Sequence, residues 1–413
     1  MAWKETCVLE ERVAFARSWE EGEESVATLC RAYGISRKTG YKWARRYEAA
    51  GVEGLRDRSR APYHHLNGVS ERVREEVIAA RLRHPTWGPK KLRAWLVRRE
   101  PEVAWPASST MGEWLRRLGL AVPRGRRRRA VPWSEPFAAC EGPNQVWTAD
   151  FKGWFRVGDG TRCDPLTIQD AQSRYLVRCH LVPDLGYATA RGIFEAAFRE
   201  YGLPEAMRSD NGTPFANVGL GGLSRLSVWW LKLGIMPERI DAGHPEQNGR
   251  HERMHRTLHQ ETASPPARTL RAQQRRFDQF RVAYNEERPH EALGMRMPAE
   301  VYAPSPRAYP ERVGDFTYGD LSTRRVQSRG EIMWWHRKVF LTKVLEGEVV
   351  GLEALDGRHW SVQLGALRLG ILDAEAFRML SAPEARVRGY DPGLTGGRAL
   401  RSAPGPAPRP LKD

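Results

Sequence analysis

Three acidic residues, Asp150, Asp210 and Glu252, each sit in a short context suited to metal-assisted phosphoryl transfer: WTADF, RSDNGTPF and NGRHER. Carboxylate oxygens are hard donors that suit Mg²⁺ or Mn²⁺. Three converging acids without a cation would repel one another and raise their own pKa values. Two divalent ions can activate a nucleophile and stabilise a leaving oxygen during in-line displacement. Taken singly, each residue reads as an acid at a surface or strand end. In this order and context, the three together point to chemistry on a phosphodiester.

The surrounding sequence predicts the elements that position them. In VWTADF, Trp147, Ala149 and Phe151 fall on one strand face, and Val146, Thr148 and Asp150 on the other. LTIQD and RCHLV read as two further strands joined by a turn over 170–174, and residues 187–201 as a helix. AMRSD is a short strand ending at Asp210. A helix carrying Leu226, Trp230 and Leu233 follows, then a fifth strand in MPERIDAG, then a helix whose first turns hold Glu252. On that helix Glu252, Arg256 and His259 stand at i, i+4 and i+7, so one face offers a metal ligand and then phosphate contacts, while Met254 and Leu258 turn toward the sheet. Asp159, Asp164, Asp170 and Asp241 read as turn or loop acids.

W-T-A-D-F, R-S-D-N-G-T-P-F, H-P-E-Q-N-G-R-H-E-R and Y-N-E-E-R-P-H-E-A-L-G-M-R-M-P-A-E-V-Y together resemble the integrase core of bacterial insertion-sequence transposases, DDE-type members of the retroviral-integrase superfamily. The resemblance implies a ribonuclease-H-like fold, a five-stranded mixed sheet flanked by helices. It also implies that Asp150, Asp210 and Glu252 are the catalytic residues and metal ligands, with two Mg²⁺ or Mn²⁺ ions in the active complex. Asp150 would bridge the ions, Asp210 would serve one and Glu252 the other. Glu246 competes for the third position, but it precedes the Asn248-Gly249 turn, where the family usually has a neutral residue. The implied activity is binding of a mobile element's terminal inverted repeats, cleavage and strand transfer, performed by a homo-oligomer on double-stranded DNA, both element ends and target. A repressor keeping the core as scaffold, and a plain nuclease of the same fold, are the alternatives. Two departures stand out. The stretch 211–251 exceeds the family's usual spacing and carries the glycine-rich GLGGLSRL, and no zinc-binding His and Cys module precedes the core. Arg288, Pro289 and His290 match a recurrent family element, read as packing the last helix onto the core, with a DNA contact by Arg288 as the weaker alternative.

The rest of the chain fits a polyanion partner. Lys and Arg total 66 against 50 acidic residues, a net charge of +16, although scattered arginines alone could reflect genomic base composition. In SVATLCRAYGISRKTGYKWARRYEAAG, Gly34 supplies a turn, Ser36 caps a second helix, and Ala27, Leu29, Tyr33, Ile35 and Trp43 form an apolar seam. Arg37, Lys38, Thr39, Lys42, Arg45 and Arg46 are then free to face a DNA groove, unless the segment is an ordinary helical hairpin with a solvated basic face. A second module follows. WGPKKLRAWLVRR starts with Pro89, and PASSTMGEWLRRLGL is capped by Ser108 or Ser109; Leu92, Trp95, Leu96, Met111, Trp114, Leu115 and Leu118 would be its core, with Ser109, Thr110, Arg116 and Arg117 toward DNA. Arg124, Arg126, Arg127, Arg128 and Arg129 form a basic run between prolines, suited to tracking phosphates.

Beyond residue 309 short strands separated by Gly or Asp predict a small β-barrel, similar to the superfamily's SH3-like domain, with Trp334, Trp335, Trp360 and Val349 as core and Arg324, Arg325, Arg329, Arg337, Lys338 and Lys343 outside. The expected organisation is a helix-turn-helix module over 1–58, a second over 68–122, a basic linker over 123–139, the catalytic core over 140–305, the β-barrel over 309–381 and a disordered tail over 382–413. The five cysteines lack zinc or disulfide spacing and read as free, buried thiols. No apolar run suits a membrane span or signal peptide, so the expected setting is the bacterial cytoplasm, at the nucleoid, with no membrane partner.

Overall fold

A computed structural model of the protein describes residues 7–57, 69–121, 140–210, 212–216, 220–240 and 249–393. The basic run from Arg124 to Arg129, Asp241 and Glu246 lie outside the described residues. Contacts divide the chain into two compact units, Met1–Ser70 and Glu71–Asp413.

In the first unit, α1 (Val8–Glu21), α2 (Val26–Ala32) and α3 (Arg37–Gly54) enclose Phe15, Leu29, Cys30, Trp43 and Leu55. Ser25 and Ser36 cap α2 and α3, accepting from Thr28 N–H at 3.3 Å and Thr39 N–H at 3.1 Å. Gly34, at φ 63°, makes the turn between them. A Cβ at Gly40 would lie 2.4 Å from Cys30 Sγ, so this glycine lets α2 and α3 approach closely. Phe15 and Cys30 take the central place in this core, whereas Ala27 stays partly exposed.

The second unit begins with α4 (Glu71–Arg83), α5 (Pro89–Arg99) and α6 (Ser108–Arg117), packed around Val77, Trp87, Leu92, Leu96, Trp105, Met111 and Leu115. Ala107, not Ser108 or Ser109, is the N-cap of α6, without a side-chain bond. Leu118, expected in this core, is exposed. These helices fall in the same compact unit as the residues that follow them. Arg98 Nη1 donates to the Met295 carbonyl at 2.6 Å, Arg98 Nη2 pairs with Glu300 at 3.2 Å, and the Thr86 hydroxyl donates to Glu261.

The core sheet contains β1 (Val146–Phe151), β2 (Phe155–Arg156), β3 (Arg162–Asp170), β4 (Leu176–Val182), β5 (Ala206–Ser209) and β6 (Met236–Arg239). β3 pairs antiparallel with β1, β4 and the short β2, while β1, β5 and β6 run parallel. One face carries Trp147, Ala149 and Ile168 against α7 (Tyr187–Tyr201) and α8 (Arg225–Lys232), through Phe194, Phe198 and Trp230. The other packs Cys163, Leu176 and Cys179 against Met254 and Leu258 of α9 (Gly249–Thr262) and Phe277 and Phe280 of α10 (Leu270–Val282). Two helical layers around a mixed sheet therefore fit the alternation read from β1. Asp170, at the end of β3, is fully buried and holds the turn that follows, accepting from Asn144 N–H, Ser173 N–H and Ser173 Oγ at 2.8, 2.7 and 2.6 Å. Asp164 lies within β3, paired with Arg162 at 2.6 Å. Arg288 is buried and bonded to Glu261, which supports the packing reading of that element.

The C-terminal strands are β7 (Ser322–Arg325), β8 (Glu331–Trp334), β9 (Arg337–Phe340), β10 (Val349–Ala354), β11 (His359–Leu364), β12 (Leu367–Asp373) and β13 (Arg378–Met379). They make an antiparallel five-stranded sheet, ordered β13, β12, β11, β10, β7, plus a separate β8–β9 hairpin. The hairpin packs against both end strands, β9 on β13 and β8 on β7, and shares the sheet's core, but among the described residues no ladder joins it to them, so a closed barrel is not seen. Trp334 is buried in the core, but Trp335 is exposed at the hairpin turn, where φ is 42°. The stretch expected to be disordered from 382 instead begins with α11 (Ala382–Val387), whose Ala385 packs on Ile371. Of the cysteines, all free, Cys7 is exposed and Cys140 partly so, contrary to the buried reading.

Candidate active site

β1 and β5 are parallel neighbours in the register Val146 with Ala206 through Ala149 with Ser209. Asp150, inside β1, and Asp210, one residue past β5, come next in that register, so both acids lie toward the C-terminal ends of adjacent strands, which lie about 4.8 Å apart in a sheet. Glu252 enters from the exposed side of the first turn of α9. The acids act on one another. The Asp150 carboxyl is pushed up to about 7, first by burial, then by Asp210, with Glu252 adding to the rise and the Phe151 N–H and Lys152 opposing it. Asp210 is also raised by burial, although it accepts from Gly212 N–H at 3.1 Å.

A donor set of this kind fits a divalent cation. Carboxylate oxygens are hard donors, and the burial and repulsion that lift Asp150 are a penalty a cation would lessen, although among the described residues Asp150, Asp210 and Glu252 do not bring their oxygens within 4.8 Å of one another. Lys152, Glu252, His255, Arg256, His259 and Gln260 line a cleft of about 470 Å³ beside them. The expected face of Glu252, Arg256 and His259 thus opens on one cleft, while Met254 and Leu258 are buried beneath it.

Sequence reasoning missed two residues on α9. His251 is fully buried and His255 nearly so, on the side facing β1 and β3. His251 Nδ1 lies 2.8 Å from Thr148 Oγ1, and its Nε2 2.6 Å from Thr167 Oγ1. His255 Nε2 lies 2.7 Å from the same Thr167 oxygen, and its Nδ1 3.9 Å from Asp150 Oδ2. Burial pushes His251 down to about 3; burial, then His251 and Lys152, push His255 down to about 2, so both rings are neutral near pH 7. Asp150, His251 and His255 offer ligand atoms within 4.8 Å of one another. Three of the four imidazole nitrogens, however, already face threonine hydroxyls. The available signal was the i, i+4 spacing of the histidines around Glu252, which places both on the inward face.

The expected DNA-facing residues divide. Arg37, Lys38, Lys42 and Arg45 are exposed along α3. Thr39 is occupied in the cap, its hydroxyl 2.9 Å from Ser36 Oγ, and Arg46 is half-buried over the Trp43 ring, 5.0 Å from its centroid. On α6 Ser109 is exposed and Thr110 half-buried, while Arg116 and Arg117 both clasp Glu113, at 2.7 and 2.8 Å. These two arginines are therefore already paired.

Residues 141–245 and 233–298 match the Integrase core domain family, residues 11–63 a Helix-turn-helix domain and residues 39–115 a Homeodomain-like domain. The chain is 32% identical over 254 residues to the "Insertion element IS407 uncharacterized 31.7 kDa protein" of Burkholderia multivorans (strain ATCC 17616 / 249), covering 58% of this chain and 87% of that protein. Solved structures similar to it include the HTLV-2 integrase catalytic core domain in complex with magnesium, 14% identical with a TM-score of 0.31, covering 40% of this chain and 99% of that one. Another is the catalytic core domain of BIV integrase, 19% identical with a TM-score of 0.30, covering 38% and 93%. An integrase core domain implies polynucleotidyl transfer of the DDE kind. The chain belongs to the family of insertion-sequence transposases with an integrase catalytic core.

Proposed function

We propose that this protein is a DDE transposase that binds the terminal inverted repeats of its element, cleaves at their ends and joins them to target DNA. The observation that carries the reading is the placement of Asp150 and Asp210 at the same end of paired strands, with Glu252 near enough to raise Asp150. Asp150, Asp210 and Glu252 would hold Mg²⁺ or Mn²⁺. Bound there, two such ions supply Lewis-acid charge at the attacking and leaving oxygens.

The chain's own residues do the remainder. Arg256, Lys152 and His259 line the cleft beside the acids and would seat the phosphodiester by hydrogen bonds and charge. The packed layers beneath α9 hold Glu252 on a rigid element, so little reorganisation is needed when DNA arrives. Exposed Arg37, Lys38, Lys42 and Arg45 would dock α3 on the duplex. Water as nucleophile gives nicking, and the freed 3′-hydroxyl gives joining, so one site serves both steps. We further propose that active complexes are homo-oligomers on DNA, at the nucleoid. Among the described residues no helix is long and apolar enough to cross a membrane.

The test incubates purified protein with labelled element ends, Mg²⁺ and supercoiled target. Joined products support transposition. Nicking without joining would favour a nuclease, and binding alone a repressor.

A further inference from the structure

We propose that His255 is a positioning residue for Asp150, held by a one-way hydrogen-bond chain from Thr148 through His251 and Thr167 that leaves its Nδ1–H facing the Asp150 carboxylate. The inference rests on Asp150 being a metal ligand, as proposed above.

The direction follows from giving each threonine proton to a ring nitrogen at 2.6 to 2.8 Å in place of a carbonyl oxygen at 3.1 or 3.2 Å. A threonine hydroxyl has one proton to donate and two lone pairs to accept with. Thr167 Oγ1 has three neighbours: His251 Nε2 at 2.6 Å, His255 Nε2 at 2.7 Å and the Asp150 carbonyl oxygen at 3.1 Å. The shortest contacts are to the imidazoles. If the proton goes to one ring nitrogen, the other must carry its own hydrogen, so the two histidines take opposite tautomers. Asp150 decides which. A carboxylate that holds a cation only accepts, and its Oδ2 lies 3.9 Å from His255 Nδ1. A bare nitrogen lone pair there would face anionic oxygen, whereas Nδ1–H presents its positive end.

His255 Nε2 then accepts from Thr167, Thr167 accepts from His251 Nε2–H, and His251 Nδ1 accepts from Thr148. This arrangement uses the 2.6, 2.7 and 2.8 Å contacts and leaves out the longer ones, from Thr167 to the Asp150 carbonyl at 3.1 Å and from Thr148 to the Gln169 carbonyl at 3.2 Å. It also gives both buried rings partners without making them metal ligands. At 3.9 Å the contact with Asp150 is electrostatic, too long for a formed hydrogen bond. Ligand carboxylates and their outer partners act together, and loss of such a partner costs roughly 10- to 100-fold in metal affinity or activity.

Nitrogen-15 NMR of the full-length protein with Mg²⁺ present, labelled at histidine, reads the tautomers directly. The chain requires His255 protonated at Nδ1 and His251 at Nε2; reversed tautomers, or a doubly protonated ring near pH 8, overturn it. Independently, His255→Leu should lower end joining roughly 10- to 100-fold and raise the Mg²⁺ concentration needed, with DNA binding unchanged. His255→Asn, whose amide N–H can stand in for Nδ1–H, should recover most of that loss. Unimpaired joining by His255→Leu, or equal loss in both variants, contradicts the positioning role. Neither result alters what Asp150→Asn does, so the two proposals fail separately.

Discussion

Arg288 Nη1 lies 2.6 Å from Glu261 Oε1, a buried guanidinium gripping the last turn of the helix that carries Glu252. The same carboxyl oxygen accepts from Thr86, between α4 and α5, so one ion pair ties the second helical module to the catalytic core. Arg288→Leu should therefore destabilise the unit Glu71–Asp413 by roughly 2 to 4 kcal/mol, because Glu261 loses its partner at a half-buried site. Calorimetric unfolding of the variant checks this. An unchanged Tm with weakened DNA binding would make Arg288 a DNA contact instead.

Local patterns made much of this legible. The alternation in VWTADF put Asp150 opposite the Trp147 face, and the helical spacing of Glu252, Arg256 and His259 put them on one cleft, because both inferences need only neighbouring residues. What escaped depends on distant partners. The burial of His251 and His255 needs Thr167 of β3, the burial of Asp170 needs the Asn144 N–H, and the docking of α5 needs the Met295 carbonyl. How the C-terminal strands pair was equally hidden, since short strands and turns look alike whichever edges meet.

Arg256 is exposed on the cleft, so its removal should leave folding untouched. Arg256→Ala is expected to weaken binding of element-end DNA and to reduce the slope of log affinity against log salt by about one. Fluorescence anisotropy across a salt series measures both. An unchanged slope would remove Arg256 from the phosphate contacts.

The crossing of α2 and α3 depends on Gly40, where an added Cβ would meet Cys30 Sγ and the Phe15 ring. Gly40→Val should cost about 1 to 3 kcal/mol in the first unit through overpacking. End binding should fall, while circular dichroism shows the remaining helices retained. Full end binding by this variant would show that the first unit does not read the ends.

Asp373, 1% exposed at its side chain, is clasped by Arg358 at 2.8 Å and accepts from the Ala376 and Glu375 N–H groups, which hold its carboxyl down to about 2. A depressed folded pKa adds stability above the unfolded value, about 3.9, and that stability is lost as pH falls toward 2. With Arg358 partly exposed and screened, the contribution is roughly 1 to 2 kcal/mol. Asp373→Asn should flatten the fall in stability between pH 4 and pH 2, followed by chemical denaturation. The same slope in both proteins would mean that Asp373 is not held down.

The metal-site claim is tested most directly by isothermal titration of Mn²⁺ into the protein bound to element-end DNA, paired with an end-joining assay, for wild type, Asp150→Asn and Asp210→Asn. The account predicts that both variants bind DNA as wild type does, lose Mn²⁺ binding and lose joining by orders of magnitude. Joining at wild-type rates by either variant, with Mn²⁺ binding intact, would contradict it.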